Sequence, residues 1–143
     1  MGLGYVGAVT AACLAHLGHR VLGVDIHALK VNNILAGQAP FFEPGLEQLI
    51  HHNVAAGRLT ASTSLAGSLT HAEVVLICVG TPSERSGDLD FRQLRRVSEE
   101  IGKELRAGGR PASPPLVVAV RSTVFPGTCE SVVAPALEGA GAR

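Results

Sequence analysis

The residues best suited to hold a ligand stand at the start of the chain, where three glycines recur at a characteristic spacing. Residues 2–7 read Gly-Leu-Gly-Tyr-Val-Gly and open a stretch typical of a helix. Gly2 would permit a tight turn, Gly4 would let the backbone approach a diphosphate, and Gly7 would let helix and strand pack closely. The free N–H groups at the positive end of the helix would then meet the phosphates. In a chain with 17 glycines, this spacing could also arise by chance.

An acidic residue follows this motif at the distance expected for a ribose ligand. Asp25 ends a short apolar run 18 residues after Gly7, where roughly 20 are expected. Its carboxylate can accept hydrogen bonds from the 2′- and 3′-hydroxyls of an adenosine ribose and would repel a 2′-phosphate, so it favours NAD over NADP. Asp25 could instead cap the helix that follows it. Lys30 could bond the same ribose or remain solvated.

Two later loops could reach the same ligand. Residues 78–82 follow a strongly apolar run, and ligands of open α/β sheets bind at the carboxyl ends of the strands. Gly80 allows close approach, and the Thr81 hydroxyl can bond a ribose or phosphate oxygen. Thr123 follows the next apolar run, where its hydroxyl could hold a water or a substrate oxygen. As alternatives, Thr81 and Pro82 simply end a strand in a turn, and Thr123 caps a helix.

Cysteine and histidine chemistry is not indicated. The three cysteines, at positions 13, 78 and 129, lie in apolar stretches without an obvious histidine base, and we expect Cys13 and Cys78 in the core. Their odd number and wide spacing favour reduced thiols over disulfides. The six histidines show no ligand spacing, so we expect no metal site.

The composition indicates a single globular domain. The length of 143 residues fits one domain, and 46% hydrophobic against 17% charged residues is enough for a core. Lys+Arg 12 and Asp+Glu 12 leave no net charge, which argues against nucleic-acid or membrane-surface partners. Because no apolar run approaches the roughly 18 residues of a membrane span and no signal peptide is recognisable, we expect a cytoplasmic protein.

Apolar periodicity predicts alternating helices and strands, which indicates an α/β fold with a doubly wound parallel sheet. The predicted strands are 20–25, 58–62, 73–79 and 116–120. All of them except 58–62 should be buried, and 73–79 should be buried on both faces. The predicted helices are 4–17, 28–36, 44–57 with Pro44 in its first turn, 63–70, one capped by Asp90 with Gln93, and one after Pro126 and Gly127; residues 108–115 form a surface linker.

The glycine motif should follow a strand, but only Met1 precedes Gly2. We therefore expect the first, central strand of the sheet to be truncated, through a late start codon or a shortened reading frame.

Six motifs occur in one order: Gly-Leu-Gly-Tyr-Val-Gly (2–7), Gly-Val-Asp (23–25), Glu-Pro-Gly-Leu (43–46), Ile-Cys-Val-Gly-Thr-Pro (77–82), Gly-Asp-Leu-Asp (87–90) and Arg-Ser-Thr-Val (121–124). Together they resemble the N-terminal domain of the UDP-glucose/GDP-mannose dehydrogenase family, over essentially the whole chain. The last two motifs lean towards its GDP-mannose members, which supply GDP-mannuronate for the polysaccharide alginate.

This resemblance implies a Rossmann-like fold and an NAD-dependent oxidoreductase. Such enzymes oxidise the C6 alcohol of a nucleotide sugar to a carboxylate in two hydride transfers to NAD, through an aldehyde and a cysteine thioester. Thr123 would help to place the catalytic water. The implied cofactor-binding residues are Gly2, Leu3, Gly4, Tyr5, Val6, Gly7, Asp25, Lys30, Cys78, Val79, Gly80, Thr81 and Thr123.

The family's nucleophilic cysteine, its catalytic lysine and asparagine, and its Asn-Pro-Glu glutamate have no match up to Arg143. We therefore expect residues 1–143 to be a partial NAD-binding domain, inactive alone, without the substrate and catalytic C-terminal domains. The whole enzyme would be a homo-oligomer that binds GDP-mannose or UDP-glucose. Two alternatives stay open: a stand-alone dinucleotide-binding module without turnover, and another Rossmann enzyme such as a methyltransferase, which the later motifs do not fit.

Overall fold

A computed structural model describes residues 1–85, 87–108 and 114–139, so part of the predicted linker (109–113) lies outside the described residues. The chain divides into two compact units, Met1–Ser64 and Leu65–Arg143. The first unit contains α1 (Tyr5–His16), β1 (Val21–Val24), α2 (Ala28–Leu35), α3 (Leu46–Ala55) and β2 (Leu59–Ser62). The second contains β3 (Val74–Ile77), α4 (Arg92–Ala107), β4 (Val117–Val120), a π-helix (Cys129–Val133) and α5 (Ala134–Gly139).

In the first unit, small side chains let α1 pack closely against its neighbours. The buried residues of α1 are glycine or alanine, and the helix contacts β1, β2 and α3. β1 and β2 pair in parallel, with Val21 opposite Leu59. Longer aliphatic side chains complete the core of this unit: Leu3, Val31, Ile34, Leu46, Ile50 and Leu59.

Leu3 and Gly23 occupy one tightly packed place in this core. The N–H of Gly2 donates to the carbonyl of Val24 at 2.7 Å, so the first residues run beside the end of β1. Leu3 is 2% exposed. A Cβ added at Gly23 would lie 2.7 Å from Leu3 Cδ2, so the leucine side chain fills the space that a side chain at 23 would need.

The second unit is built on the parallel pair β3 and β4, with Val74 opposite Val117 and Ile77 opposite Val120. α4 contacts α5 and the π-helix, and buries Leu94 and Ile101 completely. Pro135, the second residue of α5, has no N–H to donate along the helix. It lies two residues after Val133, the last residue of the π-helical turn, where the regular hydrogen-bond pattern changes.

The structure confirms the four predicted strands and their parallel pairing, with shorter bounds, but two predicted helical features are wrong. Residues 63–70 form turns closed by Ser68 N to Leu65 O, and Gly67 has a φ of 71° that interrupts helical geometry. Pro44 precedes α3, because Gly45 at the helix start adopts the left-handed conformation.

Two further predictions need correction. Strand 73–79 was expected to be buried on both faces, but Val74 and its register partner Val117 are each 54% exposed at the first rung of the ladder. β4 contains no fully buried residue. Asp90 does not form a capping box with Gln93: its carboxylate accepts the N–H of Arg92 at 2.9 Å and pairs with the Arg92 guanidinium.

No helix among the described residues is long and apolar enough to cross a membrane.

Candidate functional site

The glycine motif has the geometry of an anion-binding helix start. Gly2 adopts a φ of 90°, a conformation that favours glycine. α1 begins at Tyr5, and Gly4 at the capping position before it has no side chain that could cap the helix. A Cβ at Gly4 would meet no atom within 4 Å, so open space adjoins the backbone there. Gly7 is buried within α1. Uncapped N–H groups beside open space fit a diphosphate.

Asp25 lies directly after β1 and is 8% exposed. Its Oδ2 accepts the N–H of Leu3 at 2.7 Å and the Lys30 ammonium at 3.2 Å, and its Oδ1 accepts the N–H of His27 at 2.9 Å. Burial alone would raise the pKa of this carboxyl, but the donors from His27, Leu3 and Lys30 outweigh it and hold the pKa below its ordinary value. Asp25 is therefore an ionised side chain next to the glycine motif.

Asp25 does not cap α2 in the way that the sequence alternative proposed. It accepts the N–H of His27, the residue that precedes the helix, and none of the N–H groups of the first turn of α2. A carboxylate has about four acceptor positions, of which these three donors use three. One position remains for a ligand hydroxyl, and Lys30, which is 35% exposed at its side chain, can shift to share the site.

In the second unit, the loops after β3 and β4 are joined by their hydroxyl groups. Thr81 Oγ1 donates to the carbonyl of Thr123 at 2.6 Å. Ser122 Oγ donates to the carbonyl of Val79, also at 2.6 Å. The predicted loop residues 78–81 and Thr123 are thus brought together. The Thr81 hydroxyl donates its proton within the protein, so it would act towards a ligand as an acceptor.

Ser122 and His27 make contacts that the sequence did not predict. Ser122 was signalled by its place beside Thr123 in the motif at residues 121–124, after a strand paired with β3. The role of His27 uses only its backbone N–H, which no side-chain pattern reports.

The cysteines differ from one expectation. Cys13 was predicted in the core, but it is exposed, as is Cys129. The reason is that α1 places its alanines inward and Cys13 on its outer face. Cys78 is half-buried, and burial raises the pKa of its thiol. A protonated, half-buried thiol is a poor nucleophile.

Comparison with known proteins places this geometry in a family. Residues 1–142 match the model of the "UDP-glucose/GDP-mannose dehydrogenase family, NAD binding domain". A GDP-mannose 6-dehydrogenase from Pseudomonas putida is 47% identical over 137 residues, which cover 96% of this chain and 30% of that protein. A UDP-glucose 6-dehydrogenase from Bacillus subtilis is 38% identical over 128 residues, covering 90% of this chain and 28% of that one.

Solved structures agree with this match. A ternary complex of GDP-mannose dehydrogenase from Pseudomonas aeruginosa has a TM-score of 0.91 and 44% identity, covering 99% of this chain and 32% of that chain. A UDP-glucose dehydrogenase from the archaeon Pyrobaculum islandicum has a TM-score of 0.89 and 38% identity, with the same coverage. The chain spans about three tenths of the length of the relatives it matches.

Proposed function

The chain belongs to the UDP-glucose/GDP-mannose dehydrogenase family, as its NAD-binding part, and we propose that it holds NAD for a nucleotide-sugar 6-dehydrogenase. The predicted Rossmann-like fold and the predicted cofactor are both confirmed by the family match and the structural neighbours. The relatives named above act as dehydrogenases of GDP-mannose or UDP-glucose.

The observation that carries the proposal is the position of Asp25. Its carboxylate is tied to the backbone of Leu3, so the acid and the glycine motif keep a fixed distance. We propose that this carboxylate accepts a hydrogen bond from the adenosine ribose while the N–H groups after Gly4 meet the diphosphate. An ionised carboxylate at this place disfavours a ribose that carries a 2′-phosphate, so the site selects NAD over NADP.

In the second unit, we propose that Cys78, Val79, Gly80 and Thr81 line the cofactor further along, with Thr123 helping to place a water. When bound, NAD supplies the hydride acceptor for each of two oxidations. The substrate would be GDP-mannose, whose C6 alcohol becomes a carboxylate; 47% identity to a GDP-mannose enzyme against 41% and 38% to two UDP-glucose enzymes supports this choice. UDP-glucose is the alternative substrate.

Calorimetric titration of the chain with NAD and NADP tests the cofactor part of the proposal. We expect NAD to bind more tightly than NADP, and Asp25→Ala to weaken NAD binding by about 1.5–3 kcal/mol, the value of a hydrogen bond to a charged group. Asp90→Ala is the matched control, because Asp90 is also paired with a cation but lies in the second unit. Equal NAD affinity in parent and Asp25→Ala would remove Asp25 from the site.

A further inference from the structure

We propose that Ser122 is a positioning residue: with Thr81 it holds the loops after β3 and β4 in register, so that the backbone N–H of Thr123 is available to the nicotinamide half of NAD. This inference rests on the proposed function of the chain. In this inference the Ser122 hydroxyl does not touch NAD itself but acts through the adjacent residue, Thr123.

The first observation is where the strand pairing stops. Beside β3 and β4, the N–H of Val117 donates to the carbonyl of Glu73 and the N–H of Arg121 to the carbonyl of Ile77, and successive bonds in this direction advance both strands by two residues. Continued beyond Arg121, the alternating bonds of a parallel ladder would join the N–H of Val79 to the carbonyl of Arg121 and then the N–H of Thr123 to the carbonyl of Val79. In the structure, the hydroxyl of Ser122 donates to the carbonyl of Val79 at 2.6 Å.

The second observation is the reciprocal bond. Thr81 Oγ1 donates to the carbonyl of Thr123 at 2.6 Å, so each loop donates one hydroxyl to a carbonyl of the other. We call Thr81 and Ser122 the hydroxyl pair. These two bonds hold the loops together beyond the last backbone rung, where parallel strands otherwise diverge.

The consequence concerns the N–H of Thr123. The Val79 carbonyl accepts the Ser122 hydroxyl, and the N–H of Thr123 has no hydrogen-bond acceptor within residues 1–85, 87–108 and 114–139. An available N–H at the carboxyl end of a parallel strand is a donor for a ligand oxygen. In a dinucleotide-binding fold, the second βαβ half serves the second nucleotide, which in NAD carries the nicotinamide.

The test compares Ser122→Ala with Ser122→Thr, which keeps the hydroxyl, and with Ser131→Ala as a matched control. Ser131 also donates its hydroxyl to a backbone carbonyl, that of Gly127, outside both loops. The probes are NAD and 5′-ADP, which lacks the nicotinamide half. We expect Ser122→Ala to raise the Kd for NAD about three- to tenfold, as expected for one lost hydrogen bond, and to leave the Kd for ADP unchanged. Ser122→Thr should restore NAD binding.

Backbone heteronuclear NOE values of residues 79–81 and 121–124 give a readout that needs no ligand. They should fall in Ser122→Ala and stay at the parent level in Ser122→Thr and Ser131→Ala. Equal NAD affinity in Ser122→Ala and the parent, an equal loss of NAD and ADP binding, or unchanged NOE values would each overturn the inference while the proposed function stands. A parent chain that binds no NAD would overturn the proposed function, and this inference with it.

Discussion

The backbone N–H of Leu3 donates to Asp25 Oδ2 across 2.7 Å, although the two residues are 22 positions apart. This bond joins the glycine motif to the acid that follows β1. Lys30 reaches the same oxygen, and His27 donates to the other. Asp25 is therefore a structural centre of the first unit as well as the predicted ribose ligand.

Replacing Asp25 by asparagine should destabilise the first unit. One of the two carboxylate oxygens becomes an NH₂ group, which opposes an existing donor, and the attraction to Lys30 is lost. We expect the free energy of unfolding to fall by about 1–3 kcal/mol, measured by urea denaturation followed by circular dichroism. Asp90→Asn, at an exposed ion pair, should have a smaller effect. Equal urea midpoints for parent and Asp25→Asn would show that the three bonds contribute nothing net.

The pH dependence of stability follows from the same carboxylate. Its pKa is lower in the folded chain than in the unfolded one, so the unfolded chain binds the proton more readily. The stability that Asp25 contributes is therefore fully present above the unfolded pKa, about 4, and is lost as the pH falls through the folded value.

Urea denaturation of parent and Asp25→Asn over the acid range measures this contribution directly. The difference in their free energies of unfolding should be constant near neutral pH and should narrow below about pH 4. A difference that stays constant down to acid pH would contradict the lowered pKa.

Gly4→Ala should separate ligand binding from folding. Since an added Cβ would meet no protein atom within 4 Å, the free energy of unfolding should change by less than about 1 kcal/mol. The Cβ would, however, occupy the space through which a diphosphate approaches the backbone. The Kd for NAD should therefore rise at least about tenfold, which corresponds to a loss of about 1.4 kcal/mol of binding free energy. Gly139→Ala, also with no atom within 4 Å of its Cβ, is the control and should bind NAD like the parent. Undiminished NAD binding by Gly4→Ala would place the diphosphate elsewhere.

Gly23→Ala should act on the site through the core. Its Cβ would lie 2.7 Å from Leu3 Cδ2, and Leu3 has little room to move because it is buried and its N–H is held by Asp25. We expect a loss of about 1–3 kcal/mol of unfolding free energy from overpacking. The double variant Leu3→Val with Gly23→Ala should recover part of this loss, so that the two changes are not additive. Simple additivity would mean that the two side chains do not compete for space.

The sequence predicted those features that depend on local pattern. The glycine spacing located the start of α1, and the apolar runs located all four strands, because hydrophobic periodicity and turn residues are local properties of the sequence. The contacts that the sequence did not predict join residues that are distant in sequence. The bond from Leu3 to Asp25 spans 22 residues and uses a backbone N–H, and the bond from Ser122 to Val79 spans 43. The false helix at 63–70 shows the opposite error, since a weak local pattern there was overruled by Gly67.

The last prediction is that the 143-residue chain binds NAD but does not reduce it with GDP-mannose or UDP-glucose. Oxidation of the sugar alcohol needs a base for its proton, and trapping of the aldehyde needs a thiolate. Cys78 is half-buried and burial raises the pKa of its thiol, so it is protonated near neutral pH. The chain has two lysines, of which Lys30 is held by Asp25 and Lys103 lies within α4. The Thr123 hydroxyl has too high a pKa to act alone as a base.

NADH absorbance after mixing the chain, NAD and either nucleotide sugar measures this directly, with the Pseudomonas putida GDP-mannose 6-dehydrogenase as positive control. We expect no absorbance increase from the chain under conditions where calorimetry shows NAD bound. If absorbance does rise, Cys13→Ser, Cys78→Ser and Cys129→Ser variants would identify which thiol takes part, and loss of turnover in any one of them would show that the chain carries its own nucleophile. Bound NAD without turnover is the behaviour of a polypeptide that supplies the cofactor side of the reaction, because its ionised acid and glycine motif would bind NAD and its hydroxyl pair would hold the loops, and none of these groups transfers a proton to or from the substrate.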